Sequence, residues 1–512
     1  MTGPLVLGLD VSTTAAKAIV VDGSGAVLSE GRATFPLENP APRGWEQDAR
    51  HWLEAATTSM AAALAGLAPA LRDEVASMAI AHQRETFVIA DEAGEPMAPA
   101  IVWMDGRSTA EVQAVTAEAD AAWIHELSGK VPCTTPSLYK IRMLLERLRP
   151  DIDRSRASAL DVHAYLVRQL TGESATSTAS ADPLGIMALE ARRYDDRLCE
   201  LARLRPANLP RLCRPGDVIG PLLPAVAARL GLRREVLLVA GAGDGQAAGL
   251  GMGVVDEGEA YLNVGTAVVA GVPSKGYRTS RAYRTLISAT GDYLLEMDLK
   301  GGTLTLDWLA DRVLGKLGET EQPLEGTAER FDTLARLERE AEALPAGAQG
   351  LLALPYWAGV MNPYWDDDAG GALVGLRADH STAHIYRAIC EGLAFEQRLG
   401  FELLEASAGK VGSITVTGGA MQRPFLLALF ASAMGRPLAL SATRETTALG
   451  AALLAFPAAG LAKNARDAAK KVAAREPLVL PGPDRDRYSQ LFTGAYRGLY
   501  AALSGTMRAV AH

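Results

Sequence analysis

The stretch VLLVAGAGDGQAAGLGMG, residues 236–253, decides the fold class. Residues 236–240 are all apolar and predict a buried strand, and a glycine-crowded turn leads into a small-residue helix start at 246–250. One carboxylate, Asp244, sits in the turn between Gly243 and Gly245. Glycines on both sides let the backbone bend sharply and let another molecule come close. Open α/β sheets place ligands and chemistry at the carboxyl ends of their strands. A second reading stays open, that Asp244 only caps the helix after it.

A similar junction opens the chain. Residues 5–9 predict a strand, Asp10-Val11-Ser12-Thr13-Thr14 a polar turn, 17–21 a second strand and 27–30 a third. Such a tip presents backbone N–H groups and hydroxyls to phosphate oxygens, beside a carboxylate that can hold magnesium through water. It is equally a plain hairpin turn. The pattern returns in AYLNVGTAVVAG (260–271), where Asn263-Val264-Gly265-Thr266 matches Asp10-Val11-Ser12-Thr13 at a spacing of 253 residues, close to half the chain. That spacing indicates a domain duplication, and two hairpins, one per half, could grip a polyphosphate from both sides.

The bulk numbers agree with a multidomain globular chain. It has 512 residues, too many for one core, with 48% hydrophobic and 22% charged residues and a net charge of −9. Scattered Lys and Arg argue against nucleic acid or an anionic membrane as partner. The four cysteines form no CxxC pair, which suits a reducing cytoplasm, and no apolar run is long enough to span a bilayer. The expectation is a soluble, cytoplasmic protein.

Between the hairpins Asp48 predicts the start of a helix to about residue 67, with Trp52, Ala56, Met60 and Leu64 along one stripe. Residues 75–81 and 87–91 predict strands flanking His82-Gln83-Arg84-Glu85-Thr86. Adjacent Arg and Glu can donate to and accept from a polyhydroxylated ligand, or form a surface ion pair. Further on, 137–148 and 159–170 read as helices and the Ser/Thr-rich 174–182 as a loop. In the second half, helices are expected at 303–314, 324–344 (exposed), 381–406, 424–434 and 446–455. Strand 413–417 runs into Gly418-Gly419, and a proline-rich linker, 477–483, leads to a last helix over 487–503.

Other nucleotide and hydrolase signatures are missing. GxxxxGK[ST], HExxH and GxSxG do not occur. Counted from Gly243 the cluster fits GxGxxA, but Asp244 would then stand where a pyrophosphate binds. His380 and His384 share a helix face without a third ligand.

Six motifs in order carry a resemblance along essentially the whole chain: LDVSTTAAK (9–17), AHQRETFV (81–88), WMDGR (103–107), AGAGDGQAAG (240–249), LNVGTA (262–267) and VTGGAMQRPFL (416–426). The chain resembles the FGGY carbohydrate kinases of the actin–hexokinase superfamily. That resemblance implies an α/β fold of two actin-like (ribonuclease H-like) domains, 1–248 and 249–512, with ATP and Mg²⁺ in the interdomain cleft and a small-molecule sugar or polyol deep within it. It makes Asp244 the general base, and Gln83, Arg84 and Glu85, with Asp244, the sugar-binding set. Asp10 falls at the magnesium position, and Thr13, Thr14 and Lys17 in the first phosphate loop. Gly265 and Thr266 form the second loop, with Gly302, Gly418 and Gly419 along the nucleotide. Xylulokinase-like traits at 240–253 point to a ketopentose such as D-xylulose. Arg84-Glu85 and MNPYWDDDAGGALVGL (361–376) look like glycerol kinases, although Thr135 stands where those carry a tyrosine. Glycerol or another short polyol is therefore the second reading, and an ATP-driven switch protein that phosphorylates no sugar is the alternative of another class. A homodimer is left open.

Overall fold

A computed structural model of the chain describes residues 3–313 and 328–510. Two mixed sheets form its frame, and their strands are numbered here in chain order. The first sheet contains β1 (Leu5–Val11), β2 (Ala15–Val21), β3 (Val27–Thr34), β4 (Val75–His82), β5 (Val218–Pro221) and β6 (Leu237–Gly243), in the spatial order β5-β6-β4-β1-β2-β3. The second contains β7 (Glu259–Val264), β8 (Val268–Ser274), β9 (Arg284–Ile287), β10 (Tyr293–Leu299), β11 (Ser413–Thr417), β12 (Leu438–Ser441) and β13 (Arg475–Val479), in the order β9-β10-β8-β7-β11-β12-β13.

The two sheets share one plan. β1 pairs antiparallel with β2 and parallel with β4, as β7 pairs antiparallel with β8 and parallel with β11. The duplication expected from the matching hairpin tips is thus present in the topology. Strands buried on both faces read as near-continuous apolar runs. In β1, Leu5, Leu7, Leu9 and Val11 face the cluster that contains Trp52, Ala56, Met60 and Leu64 of helix α1 (Ala49–Ala65). Val6, on the opposite face, meets Ala448, Leu449 and Ala452. The Asp48 side chain accepts from the Arg50 N–H and caps α1, as its sequence predicts.

Helix α2 (Asp244–Gly251) lies against α3 (Thr446–Ala455) with backbone nearly touching backbone. A Cβ on Gly450 would stand 1.8 Å from the Ala247 carbonyl oxygen, and one on Gly251 would stand 2.0 Å from that of Thr446. A Cβ on Gly8 would meet the Ala448 carbonyl at 2.1 Å. A helix from the end of the chain therefore covers the first sheet, at glycines that allow no side chain.

Several local expectations change. Residues 158–161 are a strand, Ser158–Asp161, which pairs with Phe87–Ala90; the helix begins only at Val162, because the Asp161 carboxylate caps it through the Ala164 N–H. The 174–182 segment is not a loop. It is the buried strand Ala175–Ser177 and the single turn Thr178–Ala181, with Ser177 capping that turn. The linker at 477–483 begins inside β13, an edge strand on β12, where Pro477 costs no ladder bond on the open side. The charged helix spans Ala328–Glu342, and it buries Leu334, Leu337 and Ala341 rather than lying fully exposed. Residues 324–327 and Leu314, also expected in helices, lie outside the described residues. Helices Thr382–Ala408 and Pro424–Met434 lie where they are expected.

Glu396, on the long helix Thr382–Ala408, is buried and accepts from the hydroxyls of Tyr356 (2.9 Å) and Tyr496 (2.7 Å). Burial pushes its carboxyl up to about 7, against the lowering effect of the two tyrosines. The folded state therefore keeps a proton that the unfolded state has lost. This group's contribution is full at low pH and falls as pH rises through about 7. Glu396→Gln is expected to stabilise the protein at pH 8, by up to about 3 kcal/mol, and to be close to neutral at pH 5, as read by denaturant unfolding. An equal effect at both pH values would count against a protonated Glu396.

Candidate active site

β6 runs parallel to β4 with a register shift between Val239 and Ala242. At this irregularity the Gly241 N–H donates to His163 Nε2 at 2.9 Å, and a Cβ on Gly241 would stand 1.9 Å from the Ile80 carbonyl oxygen. The strand ends at Gly243, which takes the N-cap position, so Asp244 is the first helical residue rather than the cap. Asp244 Oδ1 accepts from the Gly245 N–H (2.8 Å) and from Arg84 Nε (2.9 Å).

The glycines beside Asp244 serve a different purpose from the one their sequence suggests. Neither Gly243 nor Gly245 has a positive φ. A Cβ on Gly243 would press on the Arg84 side chain at 2.4 Å, and one on Gly245 would stand 2.8 Å from Glu296 Oε2. They make room for buried charge rather than for a bend.

That charge forms a network across both halves of the chain. Arg84, 6% exposed, donates through Nη1 to both oxygens of the fully buried Glu296 (2.7 and 2.9 Å). Arg284 donates through Nε to Glu296 (2.8 Å), through Nη1 to Glu85 (2.6 Å) and through Nη2 to Asp298 (2.9 Å). The Tyr261 hydroxyl also donates to Glu296, at 3.0 Å. Arg84 and Glu85 are therefore not a surface ion pair. Each crosses to a partner from the second half. Burial would raise the Glu296 carboxyl, but the two guanidinium groups overcome this and hold it below the usual range. Burial pushes Asp298 up to about 6 despite Arg284. Glu85 adopts φ +53°, a strained value for a non-glycine residue, and its carbonyl accepts from Ser137 Oγ.

These residues wall a cavity of about 90 Å³ that Arg84, Glu85, Asp244, Arg284, Asp298 and Lys300 line with Trp103 and Thr135. A larger space of about 450 Å³ shares Trp103, Thr135 and Lys300 and reaches Thr266. Gln83 does not line the smaller cavity; its amide is committed to Gln47 Oε1 (3.0 Å) and to Thr86 Oγ1 (3.2 Å). Trp103 Nε1 donates to Thr13 Oγ1 at 2.9 Å and so ties the cavity wall to the first hairpin tip.

Asp10 stands at that tip, in register with Lys17. Its Oδ1 is buried without a hydrogen-bond partner. Burial, then the charges of Asp244 and Glu445, push its carboxyl up to about 8. A buried oxygen short of a donor fits a cation held through water, although among the described residues no group of three or more His, Cys, Asp or Glu is placed to hold a metal directly. Lys17 is held by Glu445 (2.6 Å) and Glu30 (3.2 Å), while the Thr14 side chain is exposed. In the second half Gly302 packs on the second tip: a Cβ there would stand 2.5 Å from the Gly265 carbonyl, and the Thr303 N–H donates to that same carbonyl. Gly418, at φ +104°, backs onto Val264, whereas Gly419 faces open space.

Arg284, Glu296, Asp298 and Lys300 did not emerge from the motifs. The signal was nevertheless present in YLLEMDLK, where charges at every second position of an apolar strand must share one face.

The two sheets of one plan form an actin-like (ribonuclease H-like) fold, with Asp244 at a strand–helix junction, a serine–threonine tip in the first half and a glycine–threonine tip in the second. The N-terminal domain of the FGGY family of carbohydrate kinases matches residues 5–251, and the C-terminal domain of that family matches 260–459. The chain belongs to this family and is a sugar kinase. It is 30% identical over 454 residues to a xylulose kinase of Streptomyces coelicolor (88% of this chain, 87% of that one). It is also 30% identical over 515 residues to a glycerol kinase of Symbiobacterium thermophilum (97% and 98%). Its fold matches a gluconate kinase from Lactobacillus acidophilus with a TM-score of 0.88 at 23% identity, over 99% of both chains.

Proposed function

We propose that the protein transfers the γ-phosphate of ATP to a hydroxyl of a ketopentose, D-xylulose giving D-xylulose 5-phosphate. The observation that carries this reading is Asp244 at the wall of a small cavity edged by charged side chains, with Oδ1 held by Arg84 and the Gly245 N–H and Oδ2 free of such bonds among the described residues. In the step itself, the substrate oxygen forms a bond to the γ-phosphorus as the bond to the bridging oxygen of ADP breaks. The hydroxyl proton passes to Asp244. Positioning and charge neutralisation do most of the work in such transfers, and one aligned base supplies the rest. Arg84 fixes the carboxylate, Glu85 accepts from sugar hydroxyls, and Gln83 supports this wall from behind through Gln47. A magnesium ion held through water by Asp10 would offset the charge of the phosphates.

Thr13, Thr14 and Lys17 take the phosphates from one side, with the Lys17 ammonium exchanging carboxylate partners for phosphate oxygen. Gly265 and Thr266 take them from the other. Gly302 shapes the second tip, and Gly418 and the open Gly419 leave the backbone bare for the nucleoside. The domain boundary falls at 248/249, with catalysis in the cytoplasm.

Xylulose is supported by Thr135, whose small side chain lines the cavity where glycerol kinases place a tyrosine. Glycerol is the second reading, supported by Arg84-Glu85. A coupled ADP-release assay with Mg-ATP separates the two. D-xylulose is expected to exceed D-ribulose, erythritol and glycerol in kcat/KM, with about a tenfold margin over glycerol for its extra hydroxyl contacts. Preference for glycerol would reverse the assignment.

A further inference from the structure

Resting on that kinase reading, we propose that Asp298 and Arg284, supplied by the second half of the chain, belong to the sugar-recognition site and select a neutral ketose or polyol against an aldonate of the same length. β10 carries Glu296 and Asp298 at alternate positions, which places both on one face of the strand, and Lys300 follows directly after its last residue. Asp298 and Lys300 line the small cavity, while Glu296 lies fully buried behind it. Arg284 spends Nη1 on Glu85 and Nη2 on Asp298, so one guanidinium holds two carboxylates of the cavity wall, one from each half. Asp298 Oδ2 is taken by Arg284, and Oδ1 carries no hydrogen bond among the described residues. It is free to accept from a substrate hydroxyl.

The charges around the cavity decide which substrate fits. Arg84 is held by Asp244 and Glu296, Arg284 by Glu296, Glu85 and Asp298, and Lys300 by Asp367 at 2.8 Å. Lys140 stands behind the wall, its ammonium donated to the carbonyls of Trp103 and Thr135. Every wall cation thus already serves a carboxylate: three cations face three carboxylates on the wall, and Glu296 and Asp367 add two more carboxylates behind it. A substrate carboxylate would meet spent cations and like charge, which costs several kcal/mol in a desolvated site. Hydroxyl groups instead find acceptors on Glu85, Asp244 and Asp298 without adding charge.

The test is steady-state ADP release at pH 8 with Mg-ATP, comparing D-xylulose and xylitol with D-xylonate in the wild-type enzyme and in Asp298→Asn. Calorimetric binding of the same three compounds is measured alongside. The wild type is expected to favour D-xylulose over D-xylonate by about 100-fold or more in kcat/KM. In Asp298→Asn the KM for D-xylulose is expected to rise about tenfold with kcat little changed, and the preference over D-xylonate to narrow by about the same factor. A merely structural Asp298 would lower both compounds alike. Wild-type preference for D-xylonate, which needs no variant to fold, would overturn the proposal, as would a folded Asp298→Asn with unaltered KM and preference. Turnover of D-xylonate above D-xylulose would sink this inference and leave the kinase reading standing. Binding of xylitol over D-xylonate with no ADP release from any compound would do the reverse. Absence of both binding and turnover would remove this inference together with the ketopentose assignment, and would bring the glycerol reading forward.

Discussion

Asp244→Asn is expected to lower kcat for sugar phosphorylation by about 10³-fold while nucleotide still binds. That size follows from the usual contribution of a positioned general base, about 10²–10⁴-fold. The substitution is nearly isosteric, and the asparagine Oδ1 keeps the acceptor that Arg84 Nε and the Gly245 N–H now use. The network should therefore survive the change, and the loss should be one of proton acceptance. ATP titration by calorimetry beside the coupled assay separates the two effects. Wild-type turnover in the variant would remove Asp244 from the base role. Loss of ATP binding together with turnover would make its role a structural one at the junction of β6 and α2.

Arg84→Met should produce the largest loss of stability, about 3–5 kcal/mol, because it strands a buried charge. Glu296 is fully buried, and Arg84 supplies two of its hydrogen bonds; without that residue Arg284 and Tyr261 must carry the carboxylate. Arg84→Met should also release Asp244 and lower kcat/KM. Pairing it with Glu296→Gln separates these consequences: the double variant should regain at least half of the lost stability in denaturant unfolding, but not the activity, because Asp244 stays unheld. An Arg84→Met protein as stable as the wild type would show that the buried pair contributes nothing to folding.

Much of the frame was legible because it rests on local patterns. The two hairpin tips share a strand–polar–small–threonine pattern, and apolar runs on either side of each tip can only be buried strands. The α1 stripe of Trp52, Ala56, Met60 and Leu64 repeats at helical spacing, and all four are buried. Boundaries were lost where a side chain intervened. Asp161 ends a strand by capping the next helix, a choice that its neighbours in sequence do not reveal. Pro477 suggested a linker, but an edge position tolerates it.

The site divides along the same line. Asp10, Asp244, Arg84, the serine–threonine tip and the glycine–threonine tip stand in short motifs, so sequence alone determined the duplicated α/β plan and the family it resembles, and it nominated the site residues. Only the tertiary structure decided what holds them. Arg84 and Glu296 are 212 positions apart, and Arg284 and Glu85 are 199 apart. A charge pair at that separation leaves no periodicity in a chain, because its partners are set by how two sheets close on each other. The glycines around Asp244 make the same point: as letters they suggest a flexible turn, whereas packed against Arg84 and Glu296 they are the space that buried charge requires.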